Sequence, residues 1–493
     1  MQPADPDLYP HARRWRDALP QYGHLIGNAW HEAGDVVGVA APASGRPLAW
    51  LGRGTAADVD AAVAAAHAAL AGEWGRTDAA GRGRILQAFA RLVLAHEERL
   101  AWVEAHDTGK PISQARADIR AVARYFQFYG EAADKVHGEV IPYLNDYSVA
   151  VVREPLGVTA HITPWNYPAQ MFGRTLAPAL AMGNAAVLKP AEEACLVCLE
   201  LGALALQAGF PAGALNIVTG LGEEAGAALT RHPGIAFISF TGSPEVGRLV
   251  QEAAAIHHIP VVLELGGKSP QLVFPDADLD AAAASVCGAI TQNAGQTCSA
   301  GSRVLVARSI YAPFIERLAA RFAALRIGVP GEDADLGPVI NATQQRRVLD
   351  FIENAQRGGL PLLAQAPVPA GTGGFFVPPT VFGPVPSDDP LVCREVFGPV
   401  LAVQVFDDED EAVALANGTE FGLVAGVWTR DGARQQRLAR RIVSGQVFIN
   451  CYGAGGGVEL PFGGTKRSGH GREKGLAALD EVSTTKTVVH YYG

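Results

Sequence analysis

Apolar residues recur at helical spacing in the first third of the chain and in short unbroken runs beyond it. Val59, Val63, Ala66 and Leu70 return every three or four positions behind Thr55 and Asp58, which predicts an amphipathic helix opened by a capping box. Ile85, Phe89 and Leu92 define a second helical face. It can run on toward Asp107-Thr108-Gly109-Lys110-Pro111, where Gly and then Pro stop a helix. A third helix is predicted over about Ser113 to Gly130. From Gly157 the pattern changes: Val158 to Ile162, Ala185 to Leu188, Asn216 to Thr219, Ala236 to Phe240 and Val261 to Leu265 are apolar runs of strand length with helical stretches between them. Repeated βαβ units of this kind build a parallel, Rossmann-like sheet. The alternation resumes from about Ser269 through Val447, with Arg303 to Val306, Val400 to Val405 and Gly426 to Val427 as strands. The expectation is an α/β protein with two Rossmann-like lobes flanking a cleft.

Composition narrows this picture little. A chain of 493 residues, 48% hydrophobic and 18% charged, can build two to four domains with large cores. The net charge of −10, with basic residues scattered, argues against a nucleic-acid partner. Met1 to Pro20 carries Asp5, Asp7, Arg13, Arg14, Arg16 and Asp17 and no apolar core, so it reads as a loose N-terminal extension and not as a signal peptide or anchor. No run reaches the roughly 18 apolar residues of a membrane span. Six cysteines without a signal segment fit reduced thiols in the cytoplasm.

The chemistry concentrates in Asn293-Ala294-Gly295-Gln296-Thr297-Cys298-Ser299-Ala300-Gly301. A helix marked by Ala282, Val286 and Ile290 ends at Gly295, which places Cys298 on a turn whose backbone N–H groups can stabilise a thiolate or an oxyanion. Upstream, Glu264 in Leu263-Glu264-Leu265-Gly266-Gly267-Lys268 is a carboxylate in an apolar setting, where desolvation raises the pKa toward that of a general base. Other candidates read as packing. Cys195 and Cys198 form a C-x-x-C on an apolar helix without a second pair, and His257-His258 lacks metal-ligand spacing. No metal site is expected, and no G-x-S-x-G elbow offers a rival serine.

Thr163-Pro164-Trp165-Asn166-Tyr167-Pro168, Leu188-Lys189-Pro190-Ala191-Glu192, Phe240-Thr241-Gly242-Ser243, Leu263 to Pro270, Gly295 to Arg303, Glu395-Val396-Phe397-Gly398-Pro399 and Pro461-Phe462-Gly463-Gly464 occur in this order. In that order they resemble the aldehyde dehydrogenase superfamily from about Ile26 to Val488. The resemblance implies an NAD(P)-dependent oxidation of an aldehyde to an acid, with Cys298 as nucleophile, Glu264 as base and Asn166 in the oxyanion hole. It implies cofactor contacts at Lys189, Glu192, Thr163, Trp165, Leu265, Glu395 and Phe397, and an aldehyde tunnel with Tyr167, Met171, Arg174 and Phe462. It also implies a cofactor domain over 21–134 and 153–263, a catalytic domain over 264–446, and a return through 447–483 to the cofactor domain and the tunnel mouth. Segments 135–152 and 484–493 would form a small sheet joining subunits into a homodimer or homotetramer.

Two features are ambiguous. Gly220-Leu221-Gly222-Glu223-Glu224-Ala225 matches the G-x-G-x-x-G/A fingerprint. It follows the third strand, however, and an acidic residue about 20 positions on is replaced by Phe240, so a helix-starting turn explains it as well. Thr241-Gly242-Ser243-Pro244, with Ser as N-cap and Pro in the first helical turn, is the better pyrophosphate site. Glu192 beside the 2′-hydroxyl favours NAD, with NADP open if Lys189 pairs with its phosphate. Arg174 disfavours cationic aldehydes; it can attract a carboxylate-bearing semialdehyde or pair with a neighbouring acid, and Glu459 near the mouth is an acid that can cancel its field. The alternatives to hydrolytic oxidation are a CoA-acylating semialdehyde dehydrogenase, whose kind typically lacks the glutamate present at 264, and a non-catalytic protein of the same fold.

Overall fold

The structure, a computed structural model, describes residues 5–453 and 457–493. Its first lobe is an eight-stranded sheet. The spatial order is Gly469–His470, Val261–Glu264, Phe237–Thr241, Val158–Thr163, Ala185–Pro190, Leu215–Ile217, His24–Ile26 and Ala29–His31. The strands from Val261–Glu264 to Leu215–Ile217 are parallel and correspond to the apolar runs of the sequence, whereas both margins are antiparallel. Buried on both faces, parallel strands carry continuous apolar residues and not an alternation.

The second lobe is a seven-stranded sheet ordered Leu362–Gln365, Thr380–Phe382, Val400–Phe406, Arg303–Ala307, Pro270–Val273, Val424–Trp428 and Gln446–Ile449. Only its first pair is antiparallel. Each lobe has its own apolar core. The chain passes from one sheet to the other between Glu264 and Pro270; the first lobe turns the carboxyl ends of its strands to the cleft, at Thr241 and Glu264, where α/β sheets bind ligands, and the second lobe turns the amino ends of its strands to it, at Val424 and Gln446.

The helix Ala56–Ala71 carries the Thr55/Asp58 capping box. The second helical face divides: Ala79–Ala95 and Glu97–Thr108 are separate helices. His96 between them has φ −114°, and its ring Nδ1 lies 2.9 Å from the Leu92 carbonyl, which ends the first helix where periodicity alone would have continued it. The third helix is Ile112–Ala132.

The N-terminal segment is not loose over its described part. Leu8 and Tyr9 are buried, Arg99 donates to the Leu8 carbonyl at 3.1 Å, and Arg14–Arg16 pairs with Leu19–Tyr22. Charge count concealed the two apolar anchors among the polar residues. Glu139–Ile141, Tyr147–Pro155 and Ser483–Tyr491 form a separate antiparallel sheet, in which the C-terminal strand pairs with Tyr147–Pro155 from Ser483↔Pro155 to Tyr491↔Tyr147. No helix among the described residues is long and apolar enough to cross a membrane.

Candidate active site

Cys298 sits two turns of chain beyond the helix Leu279–Thr291. That helix is capped by Asp278 and runs into the tight turn Gln292–Gly295. Asn293, Ala294 and Gly295 all have positive φ, 49°, 53° and 75°. Such a run is costly for residues with a Cβ. Gly295 is also pressed against the backbone of Gly398, where a Cβ would collide, so the reversal that presents Cys298 requires glycine there. The thiol is only half-buried by surface, yet the protein packed around it pushes its pKa up to about 12, against the opposing influence of Arg174 and the Ser299 N–H. Burial therefore disfavours the thiolate at the turn in this state.

Glu264 ends the strand Val261–Glu264, in register with Thr241 of the neighbouring strand. Both its carboxyl oxygens are buried without a hydrogen-bond partner. Burial raises its pKa well above the usual carboxylate range, with Arg174 opposing and Glu473 reinforcing. Asn166 lies just before the helix Pro168–Met182, and its Nδ2 donates to the Gln296 carbonyl at 2.9 Å. An amide nitrogen has two hydrogens, which leaves one for another acceptor. Cys298, Glu264 and Asn166 line one cavity of about 610 Å³.

The helix starting at Pro168 carries Met171 and Arg174 on the face that Tyr167 opens, and all three line this cavity together with Phe462. Arg174 is buried and held by acids. Its Nη2 is 3.4 Å from Glu264, its Nε contacts Glu473, and its guanidinium stacks 4.3 Å from the Phe462 ring centroid. The partner is not Glu459, which pairs with Arg124. Residues 454–456 of the glycine-rich mouth lie outside the described residues. Glu473 and Lys474 are the functional-site neighbours that sequence reasoning missed. Lys474, left-handed at φ 63°, lines the cavity, Glu473 acts on it only through its contact with Arg174, and neither carries a local motif.

Toward the cofactor lobe, Ser243 caps the 13-residue helix Pro244–Ile256, accepting from the Val246 N–H at 3.3 Å. Gly242 lies under the Phe240 ring, where a Cβ would come within 2.5 Å of Cζ. The Thr163 and Thr241 hydroxyls are buried without partners. Leu265 and Glu395 line the same cavity, with Glu395 accepting from the Gly267 N–H at 2.8 Å and Trp165 packing edge-on to Phe397 at 5.4 Å. A helix N-terminus with bare backbone, orphaned hydroxyls and a carboxylate across the cleft fits a dinucleotide. Lys189 and Glu192 lie at the end of Ala185–Pro190, outside the walls of this cavity, and pair with each other at 2.6 Å. The fingerprint loop opens a helical turn, Gly222–Gly226, and the Gly222 N–H meets Glu192 at 3.3 Å. It borders this outer end and not the cavity.

The remaining candidates stay apart. Cys195 and Cys198 are buried, with Cys198 against the Pro168 carbonyl; the His257 ring contacts the Arg231 carbonyl. No group of metal-ligating side chains assembles among the described residues.

The cleft between the two α/β lobes gathers a nucleophile candidate, a buried carboxyl and a helix N-terminus, as an oxidoreductase with a dinucleotide cofactor requires. The chain belongs to the aldehyde dehydrogenase family, whose model matches residues 30–488. It is 43% identical over 471 residues to retinal dehydrogenase 2 of Homo sapiens, covering 94% of this chain and 90% of the relative. A provisionally named aldehyde dehydrogenase from Burkholderia cenocepacia is 58% identical with a TM-score of 0.95, covering 96% and 100% of the two chains. An NAD+ complex of an aldehyde dehydrogenase from Bacillus cereus superposes with a TM-score of 0.95 at 36% identity, covering 99% of each. The protein is an oxidoreductase that converts an aldehyde to the carboxylic acid with NAD(P).

Proposed function

We propose that Cys298 is the nucleophile, Asn166 the oxyanion donor and Glu264 the base of a hydrolytic aldehyde oxidation. The observation that carries this reading is the convergence of the three on one cavity. Cys298 gives up its proton to solvent water, and its sulfur bonds the aldehyde carbon as the carbonyl π bond breaks to leave the oxyanion. The free Asn166 N–H and the Cys298 backbone N–H hold the oxyanion. NAD(P), when bound, supplies the acceptor for the hydride that leaves this carbon. Glu264 then takes a proton from water, the water oxygen attacks the thioester, and the Cys298 thiolate leaves as the acid forms. A buried, unsatisfied Glu264 supports water over CoA as acyl acceptor. Incubation with NAD and an aldehyde should yield NADH and free acid at a rate indifferent to CoA; dependence on CoA would overturn the reading.

The substrate we infer is an uncharged aldehyde with an apolar body contacting Tyr167, Met171 and Phe462. Arg174 repels a quaternary ammonium, while Glu473 and Glu264 already occupy the guanidinium that would draw a carboxylate. A kcat/KM panel of betaine aldehyde, succinic semialdehyde, an aliphatic and an aromatic aldehyde should place both charged compounds last. The Lys189–Glu192 pair supports NAD over NADP, because its lysine is already matched by a carboxylate that opposes a 2′-phosphate. Six unpaired cysteines fit the cytoplasm. A homodimer or homotetramer is supported by two exposed apolar surfaces: Val140 and Tyr491 on the small sheet with Tyr143 in the connection beside them, and Val246, Leu249 and Ile256 on the helix after Ser243.

A further inference from the structure

Lys110 lies far from the reactive groups in sequence. It follows Gly109, whose φ of 82° closes the helix Glu97–Thr108, and precedes Pro111, which opens Ile112–Ala132. This corner drives the side chain inward until it is 1% exposed. An ammonium has three N–H donors, and each meets an acceptor: Glu104 Oε1 at 2.9 Å, Asp118 Oδ2 at 2.5 Å and the Asn166 carbonyl at 3.1 Å. The same charge lies 4.4 Å from the centroid of the Tyr167 ring.

The third bond is the informative one. The Asn166 carbonyl also accepts from Asn293 Nδ2 at 2.9 Å, so both its lone pairs are engaged and the peptide joining residues 166 and 167 is held in place. The side chains on either side of that peptide reach consecutive residues of the nucleophile turn. Asn166 Nδ2 donates to the Gln296 carbonyl at 2.9 Å, and the Tyr167 hydroxyl meets Thr297 Oγ1 at 2.8 Å. Gln296 and Thr297 directly precede Cys298. A corner of two helices could be closed by an apolar residue at least as stably, because a buried ion pair is a weak stabiliser compared with good apolar packing. Lys110 instead spends a donor on the one carbonyl shared by both arms.

We propose that Lys110 is a positioning residue for the oxidation: by pinning the Asn166–Tyr167 peptide it aims the Asn166 amide and holds the Thr297 turn, and so sets where the Cys298 sulfur meets the aldehyde. This rests on the roles assigned above to Cys298 and Asn166. Lys110→Met alone would leave Glu104 and Asp118 buried without their cation, so the test uses K110M/E104Q/D118N, which removes all three charges and keeps the shapes. The expected kcat falls about 10²-fold, the scale of a small misplacement of reacting groups, while the dissociation constant for NAD stays at the wild-type value. Alkylation of Cys298 by iodoacetamide at pH 8, followed on its peptide by mass spectrometry, rises several-fold as the turn loosens.

Tyr167→Phe keeps the ring and cuts only the bond to Thr297, so it too raises the alkylation rate and carries the test if the triple variant does not fold. Adding Asn166→Ala to the triple variant lowers kcat by less than it does in the wild-type background, because the amide has already lost its aim. Unchanged alkylation in both variants, full additivity with Asn166→Ala, or equal losses of kcat and NAD affinity would each overturn the proposal. Full activity of Cys298→Ala would instead overturn the catalytic reading, while alkylation of Cys298 in the triple variant and in Tyr167→Phe still reports on the hold on the turn.

Discussion

Two buried ion clusters flank the cavity and differ in how completely they are satisfied. Around Lys110 each ammonium hydrogen has an acceptor, Asp118 also accepts from Gln170 at 2.6 Å, and of the carboxylate oxygens only Glu104 Oε2 is buried without a partner. Around Glu264 the charges touch without completing one another. Arg174 approaches at 3.4 Å, yet neither Glu264 oxygen has a hydrogen bond, and Lys474, pulled down to about 8 by burial, faces the same acids. A network whose cation is fully bonded fixes geometry, whereas a carboxyl with neither oxygen bonded leaves a proton poorly held. The first cluster is therefore suited to hold groups still and the second to exchange a proton.

Removing the thiol between them should have the largest effect. Cys298→Ala should lose more than about 10⁴-fold in NADH production, the scale seen when a nucleophile is deleted, and still bind NAD in a direct binding assay. Residual turnover near wild type would move the chemistry to another thiol, Cys287 being the next candidate. Glu264→Gln breaks only the proton-exchanging side. Steady-state turnover should fall about 10²- to 10⁴-fold, the contribution of a general base, with a stopped-flow burst of NADH preserved because acylation needs no water. Loss of the burst along with turnover would place Glu264 before hydride transfer.

A subtler change sharpens the contrast. Arg174 holds the Glu264 pKa down, and Arg472 and Lys474 do the same, while burial and Glu473 hold it up. A base works deprotonated, so in the role proposed for Glu264 activity rises with pH through this ionisation. In Arg174→Gln the carboxyl keeps its proton to higher pH, and the rising limb of the kcat profile should move alkaline by about one pH unit, equivalent to about 1.4 kcal/mol. An unmoved limb would show that the 3.4 Å contact does not act on the base. The smallest effect concerns stability. His161 is buried beside Thr159 and Thr175, and burial lowers its pKa to about 3. Its folded pKa lies below its unfolded one, so the unfolded chain binds the extra proton. Stability is present above about pH 6.5 and declines toward pH 3. Urea unfolding at pH 7.5 and 5.5 should show that decline reduced in His161→Gln; an identical decline would assign it to other groups, His24 among them.

The difference between the clusters also marks how far the sequence could be read. The strand runs, the Thr55 cap and the third helix were legible because they depend on residues within one or two turns of each other. The turn around Cys298 was legible for the same reason, its small residues and glycine being consecutive. The division at His96 was not, since a side-chain bond to Leu92 outweighed an unbroken apolar period. Nor were Leu8 and Tyr9 as anchors, because burial is supplied by elements far along the chain.

What the sequence by itself determined is the order of strands and helices, the family, and the motifs that single out Cys298 and Glu264 as candidates. The tertiary structure alone decided what surrounds those groups. Arg174 chooses Glu473 and Glu264 over Glu459, and Lys110 bonds a carbonyl 56 residues away. Periodicity and capping act through covalent neighbours, so a linear pattern records them. Charge pairing and desolvation depend on distance in space, which only the packed lobes define.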